Sequence, residues 1–73
     1  MKYDYSKLLG KVKECCGSQA VFASRIGLSE RSVSLKFNNR RDWKQEEMQK
    51  SCNVLGIKEI EIPLYFFTPQ VQY

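Results

Sequence analysis

Residues 17–39 read GSQAVFASRIGLSERSVSLKFNN. Two short helical patterns share this stretch. Ser18 is a good N-cap, and Phe22 and Ile26, four apart, fall on one face of a helix running to about Ile26. Gly27 ends that helix with a positive φ that a side chain would resist. Ser29 is a second N-cap, for a helix reaching about Asn38, with Glu30 in its first turn where the helix dipole favours an acid. Val33 and Phe37, again four apart, face inward. Asn38 and Asn39 tolerate left-handed geometry and end it.

Two such helices joined by so tight a turn predict a helix-turn-helix, in which short helices cross at roughly 90–120°. Ala20 and Ala23 let the second helix pack closely. Ala23, Gly27 and Val33 supply the small residue, turn glycine and buried aliphatic that the arrangement needs. The leading polar residues of the second helix are then free to enter a DNA major groove.

Flanking segments extend the helical pattern. A first helix is expected from about Tyr5 or Ser6 to Cys16, capped by Asp4 or Ser6. Leu8, Leu9, Val12 and Cys15 or Cys16 form its apolar face, and Gly17 stops it. After the basic loop Arg40-Arg41-Asp42, Trp43 and Met48 are placed as a hydrophobic staple around a helix starting near Lys44. Met48, Cys52 and Leu55 point inward, and Gly56 closes that helix. Residues 57–62 are expected to open with a short helical turn, and Pro63 to break whatever precedes it. The aromatic run Leu64-Tyr65-Phe66-Phe67 and the tail beyond it fit a short helix, an edge strand or an extended arm equally. Tyr65, Phe66, Phe67 and Tyr73 suit core packing or a dimer interface better than base stacking.

Composition narrows the function classes. The chain has 73 residues, enough for one domain with a modest core. No apolar run approaches the roughly 20 residues needed to span a bilayer. The opening residues carry an acid and no apolar run, unlike a signal peptide, so a cytoplasmic location is expected. Net charge is +4, a mild bias toward polyanions. Three cysteines, two of them adjacent, and no histidine argue against a disulfide framework or a zinc site. Cys52 with Cys15 or Cys16 reads as small core residues. Without histidine there is no Ser/His or Cys/His pair, and no glycine-rich phosphate loop occurs. No enzyme, metal, cofactor or small-molecule ligand is expected. Redox chemistry at Cys15-Cys16 ranks last among the functions.

Ser18-Gln19-Ala20, Phe22-Ala23, Gly27 and Ser32-Val33-Ser34 together resemble the Cro and repressor proteins of temperate phages. "KFNNR" (36–40) continues the match. The ends, "YDYSKLLGKV" and "YFFTPQVQ", resemble a group of very short phage helix-turn-helix proteins from Gram-positive hosts. The resemblance implies an all-α, four- to five-helix lambda-repressor-like domain over residues 1–67, its motif at 18–38, with 68–73 as a tail. It implies a homodimeric transcriptional regulator on a double-stranded operator, an inverted repeat. Gln19, Glu30, Arg31 and Ser34 match base-reading positions. Two departures stand out: Leu28 replaces a small polar turn residue, and Asn39 replaces a glycine.

Chemistry adds detail. Arg31 can grip guanine O6 and N7 together. Glu30 suits cytosine N4 or simple capping. Ser18 and Ser32 suit phosphate, and Lys36, Arg40, Arg41 and Lys44 surround the end of the same helix where they would straddle the backbone. The competing expectation is a protein-interaction module, such as an antirepressor, that keeps the fold without reading DNA.

Overall fold

Gly27 and Asn39, at φ 75° and 61°, close two successive helices in the same way. The computed structural model describes residues 2–71, so Tyr73 lies outside the described residues. Helix α2 is Gln19–Arg25 and helix α3 is Glu30–Phe37. After α2, the Gly27 amide donates to Ser24 O and the Leu28 amide to Ala23 O. After α3, the Asn39 amide donates to Lys36 O and the Arg40 amide to Leu35 O. Both are Schellman endings, which need one left-handed residue after the helix. Ser18 Oγ accepts from the Val21 amide at 3.2 Å and Ser29 Oγ from the Ser32 amide at 3.1 Å, so each helix also begins with the serine cap its sequence predicts.

The remaining elements are α1 (Ser6–Cys16), α4 (Gln45–Leu55), a 3-10 turn (Glu59–Glu61) and α5 (Ile62–Phe66). The described residues are all-helical, with one isolated antiparallel bridge between Tyr3 and Pro69. Helix α1 packs on α2 and α4, α2 packs on α3, and α5 touches α1 and α4. Pro63 sits in the first turn of α5, where its missing N–H leaves nothing unsatisfied. It therefore starts a helix instead of only breaking one, and that helix buries Tyr65 and Phe66.

Trp43, in the α3–α4 connection, lies at the centre of the core. Its ring meets Phe37 at 5.3 Å, Phe66 at 5.2 Å, and Tyr5 and Phe22 at 6.4 Å. One indole thus touches rings contributed by α2, α3, α5 and the segment before α1. It is far more than a staple for α4. Such edge-on ring pairs contribute about 0.5–1.5 kcal/mol each beyond the area they bury. Among the described residues its buried Nε1 has no hydrogen-bond partner. Cys52 is buried, Cys16 packs against the core and Cys15 is exposed. Leu28 also packs against the core, which accounts for its place in a turn.

Asn39 does a second thing. Its Oδ1 accepts from the Tyr3 amide and its Nδ2 donates to Tyr3 O, both at 2.9 Å. On the far side of the same segment the Asp4 amide donates to Thr68 O at 2.7 Å, and the Gln70 amide to Lys2 O at 3.2 Å. The end of α3, the N-terminal arm and the C-terminal tail are thereby joined in one ladder. Asn39→Gly keeps the left-handed backbone but loses both bonds, and should cost about 1–2 kcal/mol in urea unfolding. Asn39→Ala should cost about 1 kcal/mol more, through left-handed strain. In both variants the Asp4 amide should exchange with solvent faster.

Candidate functional site

The α2–α3 pair carries nearly every residue that the sequence nominates. Arg31 and Glu30 are exposed, and Ser34 is half-buried at its hydroxyl's own turn of α3. Asn38 Nδ2 donates to Ser34 O at 2.9 Å and reaches Ser34 Oγ at 3.5 Å. Gln19 is half-buried and Ser18 exposed at the start of α2. The Ser32 hydroxyl accepts from Ser29 Oγ at 3.0 Å and from Arg41 Nη1 at 3.4 Å, which draws the basic loop over the first turn of α3. Arg40, Arg41 and Lys44 are exposed. The protein's own core therefore covers neither Arg31 nor the α3 leading turn.

Lys36 is the correction. Expected at a phosphate, it is only 5% exposed. Its ammonium pairs with Glu47 Oε1 at 2.8 Å, donates to Asp42 O at 2.9 Å and lies 5.8 Å from the Trp43 ring centre. A charge this buried survives only when it is paired and hydrogen-bonded. The inward turn follows from register: Lys36 stands three residues after Val33 and beside Phe37, on the stripe that faces the core. That spacing was the available signal, and the positive charge masked it. The same Glu47 oxygen accepts from the Lys44 amide at 2.9 Å, so one carboxylate both caps α4 and neutralises a residue of α3.

Two apolar residues on the pair also went unread in the sequence. Val21 on α2 is 40% exposed, and Leu35 on α3 is half-buried without joining the core cluster. The face thus mixes arginine, serine, a glutamate and aliphatic carbon. It suits contact with a protein surface as well as with a polyanion.

Burial alone would push the Glu47 carboxyl up. The Lys36 bond, the Lys44 amide and the charges of Lys36 and Lys44 outweigh it and hold the group below its ordinary value. The Cys52 thiol is pushed up by burial and by Glu59 and Glu61, away from thiolate chemistry. Among the described residues no helix is long and apolar enough to cross a membrane, and no cluster of three His, Cys, Asp or Glu side chains could hold a metal ion.

Comparison with known proteins sets this geometry in a lineage. A family model described as "Protein of unknown function (DUF739)" matches residues 1–69. The solution structure of the modulator of repression of the temperate bacteriophage TP901-1 from Lactococcus lactis is similar to this chain at 51% sequence identity. The match covers 99% of this chain and 97% of that one, with a TM-score of 0.81. No curated protein sequence matches. The kinship is with a small phage-encoded regulator of repression.

Two measurements check the buried pair. Lys36→Met should cost about 3 kcal/mol by stranding Glu47, and adding Glu47→Gln should recover most of that loss. Because the folded carboxyl titrates low, the stability it contributes is complete above the unfolded value of about 4.3 and drains as pH falls through the folded value. Glu47→Gln should remove that acid limb from a plot of urea midpoint against pH.

Proposed function

The chain belongs to the DUF739 family, and from that premise we propose that it modulates repression in a temperate phage by binding the phage repressor protein. The observation that carries this reading is the near full-length match, at 51% identity, to a modulator of repression. The α2–α3 pair is the proposed contact surface. Arg31 supplies a planar, bidentate donor for a carboxylate or backbone carbonyl of the repressor, and Val21 and Leu35 supply apolar area beside it. The protein acts without catalysis, in the host cytoplasm, by occupying its partner.

A second reading rests on a specific observation: Arg31, Arg40, Arg41 and Lys44 are all exposed on or just after α3. This is the cation pattern of a Cro-like helix-turn-helix that reads an operator, and such a protein would work as a homodimer on an inverted repeat. Burial of Lys36 removes one cation from that set, which weakens the DNA reading relative to the repressor reading. Gln19, Glu30 and Ser34 would read base edges in the DNA case and contact side chains in the protein case. Ser18 and Ser32 would bond phosphate only in the first.

Titration calorimetry with the purified repressor of the same phage, alongside fluorescence anisotropy with operator and random duplex at two salt concentrations, separates the two. Repressor binding that Arg31→Ala weakens by about tenfold, with duplex binding absent or wholly non-specific, supports the repressor reading. Tight operator binding with a steep salt dependence, and no repressor complex, reinstates the operator reading.

A further inference from the structure

A groove runs across the molecule where α4, α5 and the N-terminal arm meet. One cavity of about 310 Å³ is lined by Tyr3, Tyr5, Asp42 and Trp43 together with Met48 and Phe67. A second, of about 520 Å³, is lined by Gln45, Gln49, Glu59, Ile62 and Pro63, and again by Met48 and Phe67. The shared Met48 and Phe67 make the two cavities one trough. Each volume falls within the span of about 300–1,000 Å³ usual for binding sites.

The trough's charge is opposite to the chain's. The protein carries twelve Lys and Arg against eight Asp and Glu, yet no Lys or Arg lines either cavity. Asp42 stands in one and Glu59 in the other, and neither forms an ion pair among the described residues. Asp42 lines the same cavity as Tyr3 and Tyr5, and burial, then Tyr3 and Asp42, pushes the Tyr5 phenol up. Of the Tyr and Trp rings in that cavity's wall Tyr3 is the half-exposed one, and the face of such a ring attracts cations. The floor is apolar and adaptable: Met48 is flexible, and Phe67 remains 42% exposed. Leu64 and Ile60, in the same 3-10 turn and α5 segment, are also exposed.

We infer that this trough is a docking site for a partner protein's short apolar segment flanked by arginine or lysine. The apolar side chains lie on Met48, Ile62 and Phe67. One flanking cation stands beside Asp42 and Tyr3, and the other stands beside Glu59. This surface is built from elements other than α2 and α3, so it functions independently of the face assigned to the repressor. The protein would then hold two partners, or two parts of one partner, at once.

The test uses the intact, isotope-labelled protein and two blocked helical peptides. One repeats leucine every third or fourth position with arginines at both ends, and its twin carries glutamates in place of the arginines. The basic peptide should shift the resonances of Met48, Ile62, Phe67 and the Trp43 indole, and bind about tenfold more tightly than the acidic twin. Combined Asp42→Asn and Glu59→Gln, exposed changes that leave the urea midpoint in place, should reduce that preference to less than about threefold. Arg31→Ala should leave peptide binding unchanged. Equal affinity for the two peptides, shifts confined to α2 and α3, or concentration-dependent shifts in the trough without peptide, which would mean a second copy fills it, would each overturn the assignment.

Discussion

The ammonium of Lys36 organises this molecule. It is held by a carboxylate of α4, a carbonyl of the α3–α4 connection and the face of Trp43. Those partners come from α4 and from the α3–α4 connection, so satisfying one buried charge sets the position of α3 against both. A hydrophobic side chain of the same length could fill the space, but it would make none of these directed bonds. Buried ions give weak net stability and strong geometric preference when every bond is made. Here the preference is placed at the last turn of the helix whose opposite end, with Glu30 and Arg31, is exposed.

The aromatic core adjoins that placement. Trp43 receives rings from α2, α3 and α5 and from Tyr5, and the loop carrying it is anchored next to it through Asp42 O and Lys36. The same anchoring leaves the exposed cations, Arg40 and Arg41, on the outside of a loop whose inner side is committed. Exposure and packing divide the α3–α4 connection residue by residue: outward arginines, inward carbonyl, inward indole. A chain this small has few residues to spare, and each loop position serves one of these purposes.

Much of this was legible in the sequence, because local rules governed it. Ser18 and Ser29 cap helices wherever such helices start, and Gly27 and Asn39 suit left-handed endings regardless of what surrounds them. Four of the five helices follow from apolar spacing and caps. The rest was hidden because it depends on contacts distant in sequence. Lys36 read as a phosphate ligand since a lysine after a polar helix face is ordinarily solvated, and only Glu47, eleven residues on, makes burial affordable. Pro63 read as a breaker since its helix is too short to show periodicity. Asn39 was read for its backbone alone, because nothing local reveals that its amide group meets Tyr3. The α2–α3 face was found from pattern; its aliphatic members, Val21 and Leu35, were not, because exposure cannot be told from a single alternation.

The ladder joining Lys2, Tyr3 and Asp4 to Thr68, Pro69 and Gln70 spans almost the whole polypeptide. Contacts between positions so far apart form after the local helices, because the closure entropy of the long loop opposes them. Phe66, which closes the ring cluster around Trp43, lies beside that tie. A chain cut short before Phe66 lacks both the ring that covers one side of the indole and the tie between its extremities.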